Sequence, residues 1–378
     1  MSDYFLTKMK ILCFHPALAP YRVDFFNLLG EFSDLKMVFL QENLQTQRFD
    51  QKALLTKLKV SYEHLTTGIV LCGRCFRTGI FRLVRKESPD VVLAYEASPV
   101  TVELIILKKL GFINGQIWTS MDDSSDQIKS RKGLRRIIRD WVLRNVDKVI
   151  VPSQVAAETY HSLKVNNSLL TENKYCVVPI IHDTATMRIN ADRIYAAGRD
   201  WRDANCPKEW ERIILFVGRL VEVKNLKWLI DRMCELPKTT GLVILGDGPL
   251  REQLESQVKD LGLDERVLFV GRKEGDDVYS IMSVSDVLAL ASTSEPFGAV
   301  VAEGLQWGTP CVVSDNCGAS TLIEDGKNGA VFPFNDINGF KFAIERLPCR
   351  SNESLLACDL RHAVEILVKG EKVQCCVS

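Results

Sequence analysis

The chain has 378 residues, enough for two domains, because a single core stops growing near roughly 250–300 residues. Hydrophobic residues make up 46% and charged residues 25%, an ordinary composition for a soluble protein without a membrane-spanning run. Its 48 basic and 48 acidic residues cancel, which excludes the bulk basic excess of a non-specific nucleic-acid binder and leaves anionic partners to local clusters.

The first strand, Ile11–Phe14, leads into a loop whose prolines, Pro16 and Pro20, fix the backbone before a helix from about Val23. His15, Tyr21 and Arg22 stand in that loop and either line a ligand cleft or, for the histidine, serve packing alone. Met37–Leu40 and Val91–Tyr95 are the next strands, the latter followed by Glu96, a cleft carboxylate or an ordinary polar loop residue. Strand Gln116–Thr119 runs into Ser120-Met-Asp-Asp123, where Asp122 or Asp123 is a site residue or a helix cap.

Between Lys129 and Arg144, Leu134, Ile137, Ile138, Trp141 and Val142 recur at helical spacing and are expected to face the core. Arg131, Lys132, Arg135, Arg136, Arg139 and Arg144 form the opposite side, which is either simply solvated or meets an anionic membrane. Strand Val149–Pro152 closes this half. The 12 cysteines do not form a secreted disulfide framework, and Cys72 and Cys75 are a lone CxxC without a second pair at zinc spacing. With no signal-peptide pattern at the N-terminus, the expected compartment is the cytosol.

Residues from about 184 to 210 are polar, carry no strand-type run and are expected to link two halves. The second half brings strands Ile213–Val217, Leu242–Leu245, Val267–Val270, Val287–Leu290, Cys311–Ser314 and Ala330–Phe332. Continuous apolar strands separated by helices give parallel sheets covered on both faces. The fold class is therefore α/β, with two Rossmann-like, doubly wound domains facing across a cleft, and ligands at the carboxyl ends of the strands.

Three motifs of the second half carry chemistry. After Ile213–Val217, Gly218 permits a tight turn and Arg219 and Lys224 project from the loop, with Asn225 as a helix cap. Two cations at a strand end suit a diphosphate whose charge grows as a bond to it breaks, although alone they read as solvated surface. Leu245-Gly-Asp-Gly-Pro249 follows, with Gly246 and Gly248 allowing close backbone approach and Pro249 at the first helical position. It is not the GxGxxG of a dinucleotide site. Third comes Ser294-Glu-Pro-Phe-Gly-Ala-Val-Val-Ala-Glu-Gly304, with Glu295 in a loop and Glu303 in an apolar helix expected to carry it inward. A buried carboxylate needs donors, either the hydroxyls of a ribose or an arginine elsewhere in the fold.

Gly218-Arg-Leu…Lys224-Asn, Gly246-Asp-Gly-Pro249, Val267-Leu-Phe-Val-Gly271 and Glu295-Pro-Phe-Gly…Glu303-Gly together resemble the donor domain of family 4 (GT4) glycosyltransferases, of the group 1 type, with the GT-B fold, over roughly residues 212–335. The resemblance implies that Arg219 and Lys224 hold a donor diphosphate, Glu303 binds ribose and Glu295 contacts the transferred sugar. It places the backbone of Phe297, Gly298 and Ala299 by sugar and phosphates, and the segment after Gly271, opening with Arg272, by the base. It also implies a retaining reaction with no metal or other cofactor. One stretch departs from the pattern: Cys317-Gly-Ala-Ser-Thr321 stands where relatives commonly carry Gly-Gly-x-Pro-Glu. The first loop is similar to the Pro-Tyr-Arg openings of some bacterial GT4 members of surface-polysaccharide assembly. Many relatives carry a first-domain histidine where this chain has Asp122 and Asp123.

The expectation is thus an enzyme of hexosyltransferase type that moves a sugar from a nucleotide-diphosphate sugar to a glycan or lipid-linked acceptor in bacterial surface-polysaccharide biosynthesis. Its domains would be an acceptor-side domain over 1–185, a linker over 186–210, a donor domain over 211–350 and a helical tail over 351–378 packing back on the first. His15, Tyr21, Arg22, Glu96 and Asp122 are the acceptor-side residues. Expected partners are the donor, the acceptor and an anionic membrane touched peripherally from the cytoplasm, with no nucleic acid. A nucleotide-sugar epimerase, a glycosyl phosphorylase and a catalytically degenerate nucleotide-sugar-binding subunit are the alternatives.

Overall fold

The computed structural model describes residues 8–43, 49–71, 74–163 and 174–370, with backbone only at 74 and 75. Cys72 and the Cys75 side chain therefore lie outside the described residues; the cysteines that are described, such as Cys13, Cys176 and Cys311, are free. The chain forms two compact units, one running to Asp183 and resuming at Leu360, the other spanning Thr184–Asp359.

Unit 1 contains, in chain order, β1 Lys10–His15, α1 Val23–Phe32, β2 Asp34–Phe39, α2 Gln51–Lys57, β3 Ser61–His64, β4 Gly68–Leu71, β5 Arg74–Arg77, α3 Ile80–Glu87, β6 Val91–Tyr95, α4 Pro99–Lys109, β7 Gln116–Ser120, α5 Ser125–Ser130, α6 Gly133–Asn145, β8 Lys148–Val151, α7 Gln154–Ser162 and β9 Tyr175–Val177. Seven of these strands make one parallel sheet in the order β3-β2-β1-β6-β7-β8-β9, and β4 and β5 form a separate antiparallel hairpin. Ile11–Phe14 of β1 and Val91–Ala94 of β6 are continuously apolar and buried because helices cover both faces. Strands β3 (Ser-Tyr-Glu-His) and β9 (Tyr-Cys-Val) stand at the sheet's two edges and the hairpin outside it; β3 carries no apolar run, and the runs of β4 and β9 are short.

Unit 2 contains α8 Thr184–Met187, α9 Ala191–Asn205, β10 Arg212–Val217, α10 Leu226–Arg232, β11 Thr240–Leu245, α11 Arg251–Asp260, β12 Val267–Gly271, α12 Asp276–Val284, β13 Val287–Leu290, α13 Ala299–Gln306, β14 Cys311–Ser314, β15 Gly329–Phe332 and α14 Ile337–Glu345. Its six strands are parallel in the order β12-β11-β10-β13-β14-β15. The last helix, α15 Leu360–Lys369, packs against α1 of unit 1, and Arg361 pairs with Glu31 at 2.7 Å.

Two expectations are corrected here. The segment 186–210 is not a linker: it contains α9, which packs along α12 through Ile194, Tyr195 and Gly198. A Cβ on Gly198 would lie 2.4 Å from the Ser280 carbonyl oxygen, so glycine sets how closely those helices approach. Helix α6 is rotated from its expected seating: Leu134 is 70% and Ile137 63% exposed, whereas Arg139 is 1% exposed. Arg139 is drawn inward because its guanidinium donates to the Ile128 carbonyl at the end of α5 (2.7 Å) and to Asp140 (3.0 Å).

In each parallel sheet the strand order reverses once, beside β1 and β6 in unit 1 and beside β10 and β13 in unit 2. Loops leaving these strands diverge and open a crevice.

Candidate functional site

The loop leaving β10 carries the first two cations, and backbone bonds fix its path. The Gly218 N–H donates to the Leu245 oxygen (3.0 Å) and the Leu220 N–H to the Asp247 oxygen (3.0 Å), while the Leu250 N–H returns to Leu220 (3.2 Å). The loops after β10 and β11 are thereby laced together. A Cβ on Gly246 would sit 1.8 Å from the Gly218 oxygen, and one on Gly248 2.5 Å from the Leu220 oxygen. These glycines serve loop-on-loop contact. Pro249 precedes the helix by a turn instead of opening it, since α11 starts at Arg251. Asn225 adopts the left-handed region (φ 54°), and its side chain makes no cap bond.

Lys224 ends a short 3-10 turn, Glu222–Lys224, and its Nζ is ion-paired with Glu295 in the loop leaving β13. Both partners are largely buried, and the Thr293 N–H ties the second loop to the Val223 carbonyl at 2.9 Å. Arg219 is exposed, and its guanidinium has no acceptor among the described residues. A fixed cation, a free cation and a carboxylate thus stand at the switch point, an arrangement suited to a diphosphate and a hydroxyl-rich group.

The Glu295 loop is held from behind by the stretch that departs from the family pattern. The Glu295 N–H donates to Asn316 (3.1 Å), Gly318 donates back to Glu295 (3.0 Å), and Ala319 donates to Phe297 (2.6 Å). The Cys317 thiol donates to the same Phe297 carbonyl at 3.1 Å. Burial, with the Glu295 carboxylate nearby, pushes that thiol up to about 12, so it remains protonated and a donor. The missing glutamate and proline leave this support intact, because backbone groups and one thiol provide it.

Helix α13 begins after Gly298, whose φ of 89° turns the chain and leaves the first N–H groups without a side-chain cap. Val301, Ala302 and Leu305 face the core, while Ala299, Val300 and Glu303 share the opposite side at helical spacing. Glu303 is consequently half-buried, not carried fully inward as expected. The close approach at Gly304 is to Cys311 and Leu288, 3.2 Å from a Cβ placed there. The Phe297 ring is buried, and Arg272 lies exposed after Gly271 (φ 79°), paired with Glu274 at 2.5 Å.

Unit 1 has its own cavity at the β1/β6 switch point, about 510 Å³ in volume. Its polar lining includes Tyr95, Glu96, Ser98, Gln127, Arg131 and Arg135, and its apolar lining includes Leu40, Pro99 and Val100. Glu96 has a left-handed backbone (φ 52°), held by its N–H donating to Ser120 (2.7 Å) and its carbonyl accepting from Thr101 (2.8 Å) and Thr119 (3.0 Å). Burial and the nearby Asp123 and Asp122 raise its carboxyl to about 7, partly countered by Arg131. A strained backbone and a raised carboxyl at a cavity wall mark a prepared position.

The other expected unit 1 residues do not line this cavity. His15 is buried, its Nδ1 is 2.9 Å from the Ala17 oxygen, and its ring packs edge-on against Phe26 and Tyr95. Burial and the adjacent Arg22 lower it to about 4, so it is a neutral packing residue. Arg22, also buried, pairs with Asp122 at 2.6 Å, and Asp122 accepts from Tyr95 at 3.4 Å. Tyr21 is half-buried, with its hydroxyl raised by burial and by Asp122. Asp123 pairs with Arg131 and accepts from Tyr160 at 2.7 Å. Sequence reasoning missed Tyr95, Gln127 and Arg131 as cavity residues, and nothing short of the sheet order would have gathered them.

Two doubly wound units with this order define the GT-B architecture of glycosyltransferases. The lipopolysaccharide outer core galactosyltransferase WaaB matches with a TM-score of 0.66 at 19% identity, over 89% of this chain and 90% of that one. HepE of Anabaena, solved in complex with UDP, matches at 0.69 and 19%, over 96% and 95%. The profile of the family described as Glycosyl transferases group 1 matches residues 199–353. Among curated relatives, the lipopolysaccharide core biosynthesis glycosyltransferase LpsE of Rhizobium meliloti (strain 1021) is 34% identical over 162 residues, 40% of this chain and 47% of LpsE. The chain spans about half the length of that relative.

Proposed function

We propose that the chain is a retaining glycosyltransferase that moves a sugar from a nucleotide-diphosphate sugar to a glycan or lipid-linked acceptor during surface-polysaccharide assembly. The observation that carries this reading is the convergence of Lys224 and Glu295 at the switch point of unit 2, with Arg219, which has no acceptor among the described residues, in the same loop as Lys224. Arg219 and Lys224 would neutralise charge developing on the departing diphosphate, so turnover needs no divalent metal. Glu303 would accept from ribose hydroxyls, and Glu295, steadied by Lys224, from hydroxyls of the sugar. The cavity of unit 1 would take the acceptor, with Glu96 accepting from its hydroxyl. The UDP-bound neighbour supports a nucleotide donor, and LpsE supports a polysaccharide acceptor.

A thermal-shift screen across nucleoside diphosphates tests the donor half, since a ligand at 100 times its dissociation constant stabilises by roughly 2.7 kcal/mol. Stabilisation by a diphosphate, followed by sugar release from the matching donor with chelator present, is the expected result. No shift with any nucleoside diphosphate would overturn the reading, and a strict need for added magnesium would remove its metal-free part.

A further inference from the structure

In unit 1 one core cluster joins α3, α4, α6 and α7 to the sheet, so these helices lie in a single layer and share an outer surface. That surface is unusually apolar. Helix α6 exposes Leu134 and Ile137, and α4 exposes Ile106, with Leu110 just beyond its end. The β4–β5 hairpin, whose second strand packs against α4, adds Ile69 and Leu71. Monomer surfaces rarely keep large apolar side chains together without a use for them.

Charge selects the occupant. Lys109 ends α4 beside Lys108, which is paired with Asp147, and Lys132, Arg135 and Arg136 surround the start of α6 beside Arg131, which is paired with Asp123. Lys132 and Arg135 have no carboxylate partner among the described residues, while Asp140, the one acid of α6, is engaged by Arg139 and Arg136. A second copy of the chain would press one basic rim against another. An anionic bilayer offers apolar depth and negative headgroups together. No described helix is long and apolar enough to cross a bilayer, so this face would lie on it.

We propose that the outer face of α4 and α6, with the β4–β5 hairpin, docks unit 1 on an anionic lipid surface, Leu134 and Ile137 entering the headgroup boundary and the surrounding cations meeting the headgroups. Arg131 and Arg135 also line the unit 1 cavity, so the cavity borders this face. Docking does not depend on the reaction proposed above, and its test needs no activity.

Full-length protein is sedimented with phosphatidylcholine vesicles, with and without phosphatidylglycerol. Binding is expected only with the anionic lipid and should fall with salt, because the Debye length shrinks from about 10 Å at 0.1 M to about 3 Å at 1 M. Leu134→Gln with Ile137→Gln, and separately Lys132→Gln with Arg136→Gln, should each weaken binding by roughly tenfold or more. Phe342→Gln, an exposed apolar position of unit 2, should change nothing. Hydrogen exchange on the unsubstituted protein guards against misfolded variants: vesicles should protect residues 68–71 and 131–138. Absent binding at low salt, equal binding to neutral vesicles, survival of binding in both double variants, protection elsewhere, or a dimer broken by Leu134→Gln with Ile137→Gln would each overturn the proposal.

Discussion

The two sheets hold their switch-point loops with different shares of backbone and side-chain bonds. In unit 2 the loops after β10, β11 and β13 are laced backbone to backbone, with glycines where a Cβ would strike a carbonyl oxygen. In unit 1 backbone bonds also cross, from Leu40 to His15, Gln41 to Pro16 and Glu96 to Ser120, but side chains add much of the holding: Arg22 on Asp122, Tyr160 and Arg131 on Asp123, and two threonine hydroxyls on the Glu96 carbonyl. Where a Cβ would strike the opposite backbone, at Gly246 and Gly248, only glycine fits, whereas a side-chain-held loop admits any pair that can hydrogen-bond. The first leaves a motif in the sequence and the second does not.

Removing a charge tests the unit 2 arrangement most severely. Lys224→Ala should lower kcat by on the order of 10²–10³, the scale for losing one fixed donor to developing charge. Nucleoside-diphosphate affinity measured by calorimetry should fall less, and equal losses would mean that Lys224 serves ground-state binding. Gly246→Ala follows, since its Cβ would meet backbone that cannot step aside. Overpacking and the φ of 154° should together destabilise unit 2 by about 2–3 kcal/mol, with unit 1 untouched, in a denaturant titration followed by hydrogen exchange. Uniform loss of protection across both units would break the contrast drawn between them.

Glu303→Ala should weaken nucleoside-diphosphate binding by roughly 1.5–3 kcal/mol, the scale of a hydrogen bond to a charged group. Unchanged affinity would end the ribose assignment. The smallest effect belongs to unit 1. The folded Glu96 carboxyl, at about 7, lies above its ordinary 4.5, so the folded state holds its proton more tightly than the unfolded chain. Its ionisation therefore opposes folding increasingly as pH rises from about 5 to 8. Glu96→Gln should accordingly gain melting temperature relative to the parent at pH 8 and not at pH 5. Acceptor KM in the parent should drop as pH passes about 7, where the ionised carboxylate accepts the hydroxyl, and the variant should show a flat profile. A parent profile matching that of the variant would remove Glu96 from acceptor binding.

The eleven expected strands all occur, because parallel strands buried on both faces must be continuously apolar and a sequence cannot hide such runs. The placement of Gly218, Arg219, Lys224 and Glu295 in the loops after β10 and β13, and of Glu303 in helix α13, was legible for the same kind of reason, since position relative to the apolar runs fixes the element each occupies. Much of unit 1 was not. Helix α6 offered a plausible apolar stripe, yet Arg139 is inside and Leu134 and Ile137 are outside, because a carbonyl at the end of α5 needed a donor and the guanidinium met it. Helix α9 read as a linker since its buried stripe is only Ile194, Tyr195 and Gly198, and the glycine's role depends on how near α12 lies. His15 had the chemistry of a site residue and became a neutral packing group once Arg22 and two aromatic rings closed around it. Local periodicity and backbone constraints are written residue by residue in this chain. The seating of a helix and the proton affinity of a carboxyl depend on groups from distant strands, and only the tertiary structure brings those together.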